Sequence, residues 1–125
     1  MKRAILLVIL CAVPTVIQAS EPKAYIMGDE SCATFVNAAK EYEALIAGET
    51  RGQMAGVAYL SFISWFGGFV TGVNRERNTD VLEDTDMQGA LLWIRRYCEK
   101  HPLDTFRSTA NLVLLEVTKR RPAGK

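Results

Sequence analysis

The chain has 125 residues, 49% of them apolar and 9% aromatic, and carries 15 Lys+Arg against 14 Asp+Glu. That length and composition exclude a disordered tail and limit the chain to one small domain. The balanced charge leaves no electrostatic footprint for nucleic acid, and with a single His and no Cys/His cluster most small metal sites are excluded too.

Met1-Lys2-Arg3 is a short positive segment, and the next stretch is almost wholly apolar as far as Ile17. Gln18-Ala19-Ser20 and the charged Glu21 follow. This is the pattern of a secretory signal peptide at 1–19, cleaved after Ala19, with an uncleaved anchor as the alternative. Cys11 follows Ile9-Leu10 and not a small pair, which argues against a lipoprotein cleavage box. Cleavage removes Lys2, Arg3 and Cys11 and leaves 13 basic and 14 acidic side chains with two cysteines, Cys32 and Cys98. An even cysteine count in an exported chain reads as a disulfide, Cys32–Cys98, with two buried thiols as the alternative. The expected location is periplasmic.

Residues 20–30 hold Pro22 and Gly28 without a period and read as an N-terminal arm. Asp29 or Ser31 can cap a first helix, in which Cys32, Phe35, Val36, Ala39, Tyr42 and Ile46 recur at helical spacing. Residues 47–52 are a turn-rich break. Residues 53–74 are the most apolar part, without a charge between Arg51 and Arg75. A helix apolar nearly all round is either a central buried one or a membrane span. A span would put Cys32 and Cys98 on opposite sides of the membrane, so disulfide and span exclude each other. The buried core helix is the expectation.

Residues 75–84 are polar and mixed in sign and read as a surface loop. Thr85-Asp86-Met87-Gln88 matches a capping box with Thr85 as N-cap. The helix it opens presents Met87, Leu91, Ile94 and Cys98 and stops near His101 at Pro102. A last helix starts with Pro102 or Asp104. Its apolar stripe is Leu103, Phe106, Ala110, Val113, Leu114 and Val117. The last residues, 120–125, read as a frayed tail. The expected architecture is all-α, a single domain over 31–119 formed by a small bundle of about four helices tied by one disulfide.

No constellation here points to catalysis, and no cofactor or metal is expected. A nucleophile needs a base within reach, and the one histidine, His101, sits at a helix end. The acidic cluster Asp80, Glu83, Asp84 and Asp86 lacks the spacing of a calcium loop and reads as a solvated loop with a helix cap. Lys119, Arg120, Arg121 and Lys125 read as a solvated helix end. The candidate partner- or client-binding residues are the aromatics Tyr59, Phe62, Trp65, Phe66 and Phe69. A domain this small rarely hides five aromatics of one helix, and an exposed remainder marks an interface.

Three segments carry a resemblance: Ser31-Cys32-Ala33-Thr34-Phe35-Val36; Asp86-Met87-Gln88 with the run from Trp93 through Tyr97-Cys98-Glu99-Lys100-His101-Pro102; and Phe106 with the helix after it. Over 31–117 the chain resembles the HdeA/HdeB family of periplasmic acid-stress chaperones. That resemblance implies a small exported helical protein, tied by one disulfide, that shields unfolded clients in acid. In plan alone it is similar to periplasmic immunity proteins that block type VI amidase effectors. That alternative implies a protruding loop that plugs an enzyme cleft, for which residues 75–84, with Arg75, Arg77 and Asp80, are the candidates. The implied partners are unfolded clients or one protein, with a homodimer as a further option. Membrane insertion through 53–74 is the remaining alternative.

Overall fold

Four helices follow a short 3-10 turn among the residues that the computed structural model describes, 27–49 and 54–121. The expected signal peptide, residues 20–26 of the expected arm and residues 122–125 lie outside the described residues. The elements are the Met27–Asp29 turn, α1 (Cys32–Ile46), α2 (Ala55–Arg77), α3 (Met87–Lys100) and α4 (Phe106–Arg120). The fold is all-α, and Cys32 is bonded to Cys98 with the Cα atoms 4.8 Å apart.

Side-chain caps start three of the helices. Ser31 Oγ accepts the Thr34 N–H at 3.2 Å, Asp86 Oδ1 the Gly89 N–H at 2.6 Å and Thr105 Oγ1 the Ser108 N–H at 3.2 Å. Each oxygen satisfies one of the donors that the first turn of a helix leaves unpaired. The N-cap of α3 is therefore Asp86 and not the expected Thr85. The carboxylate also suits the positive end of the helix better than a hydroxyl. α4 begins three residues after Leu103, so that side chain escapes the expected stripe and stands 93% exposed. The rest of the stripe, from Phe106 to Val117, is buried as expected. Ile46 likewise ends α1 in solvent.

The core gathers one face from each helix. Phe35 of α1, Phe62 and Phe66 of α2 and Phe106 of α4 are fully buried, with Ile94 of α3 beside them. Their rings meet edge-on or tilted, with centroids 4.7 Å apart for Phe35–Phe106 and 4.9 Å for Phe62–Phe106. Such pairs add about 0.5–1.5 kcal/mol each beyond the area they bury.

α1 packs between α2 and α3, and α3 in turn packs against α4. The disulfide fixes the first residue of α1 to the last turn of α3. Around that bond the chain is stitched: the Cys32 N–H donates to Asp104 O at 2.7 Å, the Ala33 N–H to Pro102 O at 3.1 Å and the Phe106 N–H to Glu30 O at 2.9 Å. Buried Thr109 closes the same knot, its Oγ1 3.4 Å from Cys32 Sγ and donating to Thr105 O.

Two expectations change here. α2, expected to be buried nearly all round, is buried along one face only, by Phe62, Phe66 and Val70, while Val57 and Leu60 are each 50% exposed. α2 is long and apolar enough to cross a membrane. Here it docks against α1 and the Met27–Asp29 turn, and the bonded cysteines on either side of it meet. The expected protruding loop at 75–84 does not protrude. Arg75 and Arg77 belong to the last turn of α2, and residues 78–86 fold down with Val81 and Leu82 buried. Asn78 ends α2 in the left-handed conformation at φ 48°, one of the few residue types that adopts it readily. Asn74 Oδ1 then accepts the Val81 N–H at 2.8 Å, and Asp80 Oδ1 accepts the Leu82 N–H at 3.0 Å.

Candidate functional site

α2 carries the candidate surface and sorts its side chains by angle. At about 100° per residue, Phe62, Phe66 and Val70 fall together on the core side. The candidate aromatics thus separate. Phe62 and Phe66 are core residues, a correction to their expected place on a binding surface; a small bundle needs rings this large at its centre. Trp65 and Phe69 are half-buried along one edge of the helix, and Tyr59 is half-buried on the core side nearer its start. Trp65 and Phe69 stack with ring planes 6° apart and centroids at 5.4 Å. Tyr59 lies on the core side toward the start of α2, its ring 5.0 Å from that of Tyr42 and 6.0 Å from that of Phe35.

A cover lies over Trp65, and ion pairs brace it and the elements beside the core. The Met27–Asp29 turn sits on Trp65: a Cβ on Gly28 would collide with the indole. Asp29 is held by Arg107 of α4 at 2.9 Å. Beside Tyr59, Arg95 of α3 grips Glu43 of α1 through both carboxylate oxygens, one at 3.0 Å, and also reaches Glu99 at 3.3 Å. Hydrogen bonding and charge from Arg95 hold the Glu43 carboxyl below the usual glutamate range, while burial pushes the Tyr59 hydroxyl up. On the far side Arg121 bonds Asp84 at 2.9 Å and the Asp80 carbonyl at 2.5 Å, pinning the 78–86 segment to the end of α4. Arg120 and Arg121, expected in a frayed tail, are thus a helix residue and an anchor.

The candidate loop contacts come apart in the same way. Arg75 and Arg77 are exposed at the end of α2, whereas the Asp80 carboxylate is spent on Leu82 and Asn74. Ser31 and Ser108 spend their hydroxyls on the caps of α1 and α4. His101 is exposed and stacks on Tyr97 at 4.2 Å, and Tyr97 donates to Asp104. A hollow of about 110 Å³ lies between α3, α4 and the 78–86 segment. Its rim carries Asp84, Glu116 and Arg120, and Arg120 is already paired with Glu116.

In the sequence Gly67, Gly68 and Gly72 allow close packing of a neighbour, but the apolar spacing does not delimit the outer face of α2. Val57, Leu60, Ser61, Ser64, Gly68, Thr71 and Gly72 lie within about 120° of arc, opposite the buried ridge. Because both faces lack charge, hydrophobic periodicity has no contrast there. The chain matches no family model, no curated protein and no solved structure.

Proposed function

We propose that this chain is a small exported binding protein of the periplasm that shields unfolded clients once acid has loosened it. The observation that supports this reading is the placement of the ion pairs. Asp29–Arg107 holds the Met27–Asp29 turn over Trp65, Glu43–Arg95 joins α1 to α3, and Asp84–Arg121 holds the 78–86 segment to the end of α4. Acid neutralises the carboxylate of each pair. An exposed pair contributes about 0–1 kcal/mol, too little to unfold the domain but enough to favour local opening.

Charge works in the same direction. Once the fourteen carboxylates are protonated, the chain without its first nineteen residues carries a net charge of about +14 with His101 charged. The disulfide keeps α1 and α3 joined while the cover lifts from Trp65. A disulfide of this kind also fits an oxidising compartment.

The test is light scattering from a client protein unfolded in acid, with and without the chain. Suppression of aggregation below about pH 4 and none near neutrality is the expected result. Aggregation that proceeds unchanged in acid would falsify the reading. Intact mass from a periplasmic extract checks the location: the expected chain begins near Ser20, with two thiols that alkylate only after reduction.

A further inference from the structure

We infer that the outer face of α2 is a self-complementary surface that pairs with a second copy of the chain, the two helices antiparallel and crossing at Ser64. The face carries no charge from Val57 to Gly72, and its polar groups are largely occupied already. The Ser61 hydroxyl donates back to Val57 O and the Thr71 hydroxyl to Gly67 O, each at 2.8 Å. An apolar strip about 24 Å long is thus left against water.

Its relief identifies the occupant. The first half is large, with Met54 76% exposed and Val57 and Leu60 each 50% exposed. The second half is small, with Gly68, Thr71 and Gly72. Around Gly67, Gly68 and Gly72, apart from the adjoining residues and backbone of α2 itself, no atom of the described residues lies within 4 Å of where a Cβ would stand. Glycine lowers the stability of an exposed helix by about 1 kcal/mol relative to alanine, and a lipid surface or an unfolded client gains nothing from that arrangement. A two-fold axis at Ser64 sets Leu60 of one copy over Gly68 of the other and Val57 over Thr71 and Gly72. A parallel pair would oppose bulk to bulk and gap to gap.

Charge agrees with the antiparallel sense. Arg75 and Arg77 close one end of α2, and neither forms an ion pair among the described residues. The other end lies beside the end of α1, where Tyr42 meets Tyr59, with exposed Glu41 and Glu49 near it. The two-fold brings Arg75 and Arg77, with Glu76 between them, toward the end of α1 in the other copy, where Glu41 and Glu49 outnumber Lys40.

The experiment uses the oxidised chain at neutral pH. In sedimentation the wild type should shift from monomer to dimer as concentration rises. With diamide as oxidant, Ser64→Cys should couple to itself, two thiols giving one intermolecular disulfide. Gly72→Cys should not couple to itself, but mixed with Val57→Cys it should give the mixed dimer. Gly68→Leu meets open space in the monomer, so it should keep the helical circular dichroism and lose the dimer. The inference is overturned by a wild type that stays monomeric or that floats with lipid vesicles. It is equally overturned if Gly72→Cys couples to itself as well as Ser64→Cys does, or if Gly68→Leu still dimerises.

Discussion

Gly28 lies against the face of the Trp65 indole, where a single methyl has no room. Gly28→Ala must push back either the turn or the ring, at a cost of about 1–3 kcal/mol typical of overpacking, read as a lower urea midpoint with an unchanged slope. Glu43 is a second position where one side chain decides a property. Its carboxyl is held below the ordinary range by the hydrogen bond from Arg95. The resulting stability is present above the unfolded glutamate range and is lost as pH falls through the lowered folded value. Glu43→Gln should therefore cost about 0.5 kcal/mol near neutrality. The two proteins should converge in acid, where the native carboxyl is protonated as well; a gap that persists there would assign the cost to packing instead.

At the scale of elements, the segment between α2 and α3 is held by two side chains acting at a distance. Asn74→Ala removes the acceptor for the Val81 N–H and the partner of Asp80. The expected loss is about 1–3 kcal/mol, and thermal unfolding compared with an Asn111→Ala control on the exposed face of α4 checks it. That segment also shows where sequence reading stops. Helix starts are written locally, so Ser31 was legible, and the α3 start was off by one residue because Thr85 and Asp86 are both good caps. The inward turn of Val81 and Leu82 has no local signature; it depends on Asn74 and Asp80 finding backbone donors across a gap in sequence. The faces of α1 and α4 were legible from apolar spacing, apart from Ile46 and Leu103 at their margins. In α2 the same spacing was silent, because serine, threonine and glycine on the outer side carry no charge to contrast with phenylalanine on the inner side. Tyr59, Trp65 and Phe69 were picked out as aromatics, but their separation from Phe62 and Phe66 required the positions of α1 and α4.

At the scale of the whole molecule the disulfide restricts the unfolded chain. Cys32 and Cys98 are 66 residues apart, and closing a loop of that size stabilises by roughly 4 kcal/mol in the simple chain model. Small domains have about 5–15 kcal/mol in all. The double variant Cys32→Ala with Cys98→Ala should therefore melt well below the oxidised protein, and the oxidised protein should lose a similar margin on reduction. A calorimetric scan with and without reductant checks both.

The same bond divides the chain into what is fastened and what is merely docked. The ring closed by the sulfurs contains all of α2 and nearly all of α1 and α3, while α4 hangs outside it on the segment after Lys100. A protease that nicks the connection between α1 and α2 makes two peptides that still travel as one until reductant parts them. A nick between His101 and Thr105 leaves α4 held only by its packing, its ion pairs and the Phe106 N–H bond to Glu30 O. Scission between Cys32 and Cys98 therefore leaves one covalent molecule, whereas scission after Cys98 leaves two.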